Sequence, residues 1–138
     1  MTIPRGTVPQ EYFVPAVDGE LTVTTVLLGN DGADAPAAGS LSAVIVLTGR
    51  LDSVEAAGLR LELARVRDLG ARTLIIDLVG VRFIDSAGLA ALVVARREAQ
   101  SAGGDVVLVR PASPEALRVF RLTQFDEVFR LVDSRGGS

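Results

Sequence analysis

The sequence predicts an α/β fold, a mixed, mainly parallel β-sheet with helices in the order β-β-α-β-α-β-α-β. Two observations carry that prediction. Thr73-Leu74-Ile75-Ile76-Asp77-Leu78-Val79 is a near-continuous apolar run of strand length, the pattern of a strand covered on both faces within a parallel sheet. Strand-length runs then alternate with helix-length segments, and the crossovers are long enough for right-handed βαβ units. A third observation marks where function should sit. Over residues 82–93 the pattern changes from strand to helix, and Asp85, Ser86 and Gly88 fall within about the first turn of the new helix. Open parallel sheets place their working groups outside the carboxyl ends of their strands.

The elements follow in order. Residues 1–19, with Pro4, Pro9 and Pro15, read as an extended or partly ordered N-terminal arm in which only Tyr12, Phe13 and Val14 could dock. The domain proper is expected over 20–133. Its first strand is 20–28, rich in the β-branched Val23, Thr24, Thr25 and Val26. Residues 30–40 have loop composition throughout and form an insertion longer than a tight hairpin needs. The second strand, 43–48, is ended by Gly49, and Asp52 followed by Glu55 gives a capping-box-like start to the first helix. Ala56, Leu59, Leu63 and Val66 share one face of that helix, and Gly70 closes it. After strand 73–79 comes the alanine-rich helix ending at Ser101, then a strand at 105–110. Ser113-Pro114-Glu115 caps a third helix with Leu117 and Phe120 facing inward. Phe125 and residues 128–132 give a short final strand, and 134–138 read as a disordered tail.

Composition narrows the function classes. With 138 residues, 49% of them hydrophobic, and a net charge of −3, one soluble domain is the simplest organisation. The basic residues are scattered among seventeen acids, so no basic stripe for nucleic acid is expected. The longest apolar stretch, 89–95, is too short to span a bilayer, and the N-terminus lacks the layout of a signal peptide. No membrane association and a cytoplasmic location are expected. Cysteine, histidine and lysine are absent, which removes thiolate and imidazole chemistry, Schiff bases and thiolate metal sites. Asp77 and Asp85 have no second acid close in sequence to make a catalytic pair. No catalytic residue, cofactor or metal is therefore expected, and the chain is read as a binding module, not an enzyme.

The 85–88 cluster admits two readings. Asp85 or Ser86 serves as a helix N-cap, accepting a hydrogen bond from an orphan backbone N–H. Alternatively the cluster is a docking surface. Gly88 favours the second reading, because glycine in a helix's first turn costs roughly 1 kcal/mol against alanine and close approach of another backbone or a partner is a common reason to accept that cost.

Three blocks resemble the STAS domain family, specifically the bacterial anti-sigma factor antagonists. Phe83-Ile84-Asp85-Ser86-Ala87-Gly88-Leu89 is similar to the family signature, Leu47-Thr48-Gly49-Arg50-Leu51-Asp52 to its strand-to-helix passage, and Gly103-Gly104-Asp105-Val106-Val107-Leu108-Val109 to the strand after the signature helix. They lie in the family's order and spacing from about residue 43 to 132. The resemblance implies a STAS-like sheet, with Ser86 as the phosphoacceptor of a partner kinase. It implies that Asp85, Ala87 and Gly88 line the docking surface and that Asp52 joins it. The implied partner is an anti-sigma factor serine kinase, which itself binds ATP and metal. The unphosphorylated chain would engage that kinase and free a sigma factor, and the phosphorylated chain would let go. Two alternatives stand beside this: a STAS scaffold or sensory module that is never phosphorylated, and a small-ligand or nucleotide carrier, for which a phosphate loop is missing. On this reading the chain is expected to depart from the family in its 30–40 insertion and in a tail, not a helix, after the last strand.

Overall fold

The computed structural model describes residues 10–15, 21–29 and 41–133. The expected insertion at 30–40 and tail at 134–138 lie outside the described residues, as do the parts of the arm at 1–9 and 16–20. The elements are β1 (Gln10–Pro15), β2 (Leu21–Leu28), β3 (Leu41–Leu51), α1 (Ser53–Asp68), β4 (Ala71–Ile84), α2 (Ser86–Ser101), β5 (Asp105–Val109), α3 (Pro114–Leu122), α4 (Phe125–Val128) and β6 (Arg130–Val132). They build one six-stranded sheet in the order β1-β2-β3-β4-β5-β6. β1, β2 and β3 pair antiparallel, and β3 to β6 pair parallel. The mixed, mainly parallel α/β class is the one expected.

Alternation sets the core. Leu21, Val23, Thr25 and Leu27 of β2, Ala43, Ile45 and Leu47 of β3, Leu74, Ile76 and Leu78 of β4, and Val106 and Leu108 of β5 are all buried, as the period of two requires for one face of a sheet. Residues on the opposite face, such as Thr24, Val46, Ile75 and Val107, are half-buried. Successive right-handed crossovers from β3 through β4 to β5 put α1 and α2 side by side on one face. The α1 stripe Ala56, Leu59, Leu63 and Val66 is buried as expected, and α2 supplies Leu89, Leu92, Ala95 and Ala99. Truncating a fully buried leucine such as Leu74 or Leu92 to alanine costs about 2–5 kcal/mol in a core of this kind.

One polar tie crosses that core. The hydroxyl of buried Thr25 donates to Glu62 Oε2 at 2.7 Å, and Arg65 donates to Glu62 through Nε at 2.9 Å and Nη2 at 2.6 Å. Burial opposes the charge on Glu62. The hydrogen bonds from Arg65 and Thr25, with the Arg65 charge, outweigh it and hold the carboxyl below the ordinary glutamate range.

Several expectations are corrected. Within the expected arm, Gln10–Pro15 is a strand, paired antiparallel with β2, so three strands precede α1. Gly49 does not end its strand. It sits at φ 111° beside a register shift, and β3 continues to Leu51. β4 runs to Ile84, five residues beyond the expected end, because Gly80 lets the chain pass Thr48, whose Cγ2 lies 2.4 Å from where a Cβ would stand. In α3 the buried residues are Ala116 and Phe120, with Leu117 only half-buried. Phe125 belongs to the helical turn α4, entered through Gln124 at φ 60°. Its ring lies 6.1 Å from that of Phe129, a contact at helical i, i+4 spacing.

Candidate functional site

The strands β3 and β4 are parallel neighbours, and Leu51 is in register with Ile84. Each is followed by the same dipeptide. Asp52-Ser53 opens α1, and Asp85-Ser86 opens α2. The two aspartates hold nearly one backbone conformation, φ −118°, ψ −172° for Asp52 and φ −114°, ψ −173° for Asp85. Both are N-caps, so the capping reading of Asp85 holds and Ser86 takes the first helical position.

The two carboxylates are spent differently. Asp52 Oδ1 accepts from Val54 N at 3.1 Å and Glu55 N at 3.2 Å, within its own helix. Asp85 Oδ1 accepts from Gly88 N at 2.9 Å, while Oδ2 accepts from Ser53 N at 3.1 Å. One carboxylate therefore caps two helices. The backbone repeats the link, with Asp85 N donating to Leu51 O at 3.3 Å.

Gly88 is buried. A Cβ on it would stand 2.4 Å from Leu51 O, 2.9 Å from Leu51 Cγ and 3.0 Å from Ile84 Cγ1. The close approach for which it is glycine is to the end of β3 inside the molecule. Expected to line a docking surface, Gly88 is instead buried against Leu51 and Ile84.

Ser86 is exposed, with Asp52, Asp85 and Ala87 half-buried around it. The positive end of α2 lies at Ser86, and that of α1 lies alongside through Ser53. Around this centre the Arg50 guanidinium stacks over Phe83, 4.0 Å from the ring centroid, and its Nε lies 3.7 Å from Asp52 Oδ2. On the far side Ser113, the N-cap of α3, donates from Oγ to Arg82 O at 3.3 Å. Because both oxygens of Asp85 accept from backbone N–H groups, its carboxylate is poorly placed to act as a base on the neighbouring hydroxyl. What the arrangement offers is an exposed serine at the first position of a helix whose start is held by Asp85.

The structure brings Asp52, Asp85, Ser86 and Ala87 together at one end of the sheet. It adds Leu51, Ser53 and the Arg50–Phe83 stack, which the sequence reading did not single out. A signal was present in the repeated tripeptides Leu51-Asp52-Ser53 and Ile84-Asp85-Ser86. Among the described residues no helix is long and apolar enough to cross a membrane.

Comparison with known proteins places the fold in a family. The model of the STAS domain matches residues 33–137. A Bordetella bronchiseptica protein, BtrV, named as an anti-sigma factor antagonist, is 30% identical over 92 residues, covering 67% of this chain and 78% of its own. The crystal structure of an anti-sigma factor antagonist from Mycobacterium paratuberculosis superposes with a TM-score of 0.63 at 27% identity, over 89% of this chain and 93% of that one. The fold also matches the Bacillus cell fate determinant SpoIIAA, 23% identical in each of two forms. The unphosphorylated form gives a TM-score of 0.60 over 69% of this chain and 82% of that one. The phosphorylated form gives 0.54 over 69% and 85%. The chain belongs to the STAS domain family.

Proposed function

We propose that this protein is an anti-sigma factor antagonist controlled by phosphorylation of Ser86. Unphosphorylated, it binds an anti-sigma factor serine kinase and so releases a sigma factor; phosphorylated, it lets go. The observation that carries the reading is the exposed Ser86 hydroxyl at the first position of α2, on a junction fixed by Asp85 to both helices. Relatives named as anti-sigma factor antagonists support it, as does the existence of a related fold in phosphorylated and unphosphorylated forms. Asp52, Asp85 and Ala87 form the contact rim, and the partner brings ATP, metal and the chemistry of transfer.

The switch is electrostatic. A phosphate brings about −1.5 to −2 charges at neutral pH, and the helix N-terminus accommodates part of that charge in the free protein. At the interface, a single like-charge contact at about 6 Å with an effective dielectric near 20 costs on the order of 3 kcal/mol. Each 1.4 kcal/mol is roughly tenfold in affinity, so one phosphate is enough for about a hundredfold loss. The test is incubation with the cognate kinase and ATP followed by intact mass, then calorimetry of the unmodified, phosphorylated, Ser86→Ala and Ser86→Asp forms. The expected result is one added phosphate at Ser86, tight binding by Ser86→Ala, and weak binding by Ser86→Asp and the phosphorylated form. No phosphate at Ser86, or a phosphorylated form that binds as tightly as Ser86→Ala, overturns the proposal.

A further inference from the structure

Helix α1 has a second apolar face. Its first is buried on the sheet. Its second, Val54, Ala57, Gly58 and Leu61, follows the i, i+3, i+4, i+7 spacing of one helix side and points to solvent, with Val54 70% and Leu61 74% exposed. A Cβ added at Gly58 would meet nothing within 4 Å. This face borders a groove of about 420 Å³ between α1 and α2, floored by small side chains including Ala57, Ala64, Ala91 and Val94.

The charges on the groove are uneven. Arg67 is paired across it with Glu98 at 2.8 Å. Arg60, also on the lining, has no ion pair or hydrogen bond among the described residues. The groove thus carries an uncompensated positive charge in a chain whose net charge is −3. Its first lining residue on α1, Ala57, stands about one helical turn beyond Ser53, whose N–H is held by Asp85. At 1.5 Å per residue, Leu61 lies about 12 Å along α1 from that point, within reach of any protein that covers Ser86.

We propose that the groove receives an amphipathic helix of the anti-sigma factor, its apolar side chains against Ala57, Leu61 and Val94 and a carboxylate against Arg60. Parallel ridges on two packed helices leave a furrow that a third helix fills, and recognition of this kind reads anchors at i, i+3, i+4 and i+7. The proposal rests on the reading of this protein as an anti-sigma factor antagonist and supplies a second contact beside Ser86.

The experiment uses the full chain and the recombinant anti-sigma factor that binds it, with Leu61→Asp, Arg60→Glu and, as a control off the groove, Arg97→Glu. Affinity is read by calorimetry, Ser86 phosphorylation at saturating kinase by intact mass, and folding by thermal melting. Expected are an affinity loss of about tenfold or more for Leu61→Asp, corresponding to roughly 1.4 kcal/mol, and a smaller loss for Arg60→Glu. Arg97→Glu should bind as wild type, with phosphorylation at saturation and melting unchanged in all three. If Leu61→Asp melts early, Arg60→Glu decides alone. Wild-type affinity in both groove variants overturns the groove contact while leaving the Ser86 reading intact. Failure of the unaltered chain to bind any anti-sigma factor overturns the reading itself, and the groove contact with it. Binding of dodecanoate that is lost in Arg60→Glu, with partner affinity unaffected, assigns the groove to a small anionic amphiphile and overturns the helix.

Discussion

The two strand-to-helix junctions start from one dipeptide and one backbone conformation, yet only one of them caps the other. At the β3–α1 junction Asp52 caps its own helix alone, and the third helical position is Glu55, a half-buried acidic residue in the first turn. At the β4–α2 junction Asp85 reaches across to Ser53, and the third position is Gly88, pressed against Leu51. A capping motif read alone describes both. The difference between a helix start and a candidate switch lies in which neighbour each junction touches.

The largest effect should come from that third position. Gly88→Ala places a methyl 2.4 Å from the Leu51 carbonyl oxygen, and overpacking against backbone costs about 3 kcal/mol. Thermal melting should fall by roughly 10 °C, whereas Glu55→Ala should cost under about 1 kcal/mol. Gly88→Leu should fail to fold. A Gly88→Ala protein as stable as wild type would break the asymmetry.

The caps come next. Asp85→Ala should cost about 2 kcal/mol and Asp52→Ala about 1 kcal/mol, the upper end and middle of the range for N-cap aspartates, because Asp85 caps two helices. Urea unfolding of both variants and of the double variant checks this. Equal losses would mean that the bond to Ser53 contributes nothing.

Acid should separate the helices in another way. Among the described helices only α1 carries a buried carboxylate, Glu62, the other buried acid, Asp77, lying on β4. Its folded pKa lies below the ordinary value, so its contribution is present above the unfolded pKa of about 4.3 and is lost as pH falls through the folded pKa. Glu62→Gln should flatten the fall of stability in that acidic window, measured by urea midpoints against pH. An unchanged slope would show that the Thr25–Glu62–Arg65 tie does not couple to protons. The smallest effect belongs to the Arg50–Phe83 stack. Arg50→Ala removes an exposed stack on Phe83 and a 3.7 Å ion pair, together about 0.5–1 kcal/mol, and should leave Ser86 phosphorylation unchanged.

These contrasts also show what was legible in the sequence. The α1 core stripe, the caps at Asp52 and Ser113, and the βαβ pattern around β4 follow from periods and local chemistry, which a linear reading captures. Local pattern failed where pairing overruled it. β4 looked finished at Val79 because Gly80 and Arg82 break the apolar run, yet β3 goes on pairing with it through Ile84. Phe125 reads as strand from its apolar neighbours, whereas its ring partner Phe129 stands one helical turn on, at the end of α4. The misreading of Gly88 has the same origin. That a glycine was needed was legible, but its neighbour was Leu51, 37 positions upstream, which only the β3–β4 register brings near.

The bond from Ser53 to Asp85 spans 32 positions of chain. An unfolded chain, or a peptide cut around the serine, keeps Asp85-Ser86-Ala87 in order but loses the Leu51 carbonyl, the Ser53 N–H and the second helix. Closing such a loop is an entropic cost that only the completed sheet repays. A reader of the whole junction is therefore a reader of foldedness, and misfolded copies of this protein carry the right letters without the address.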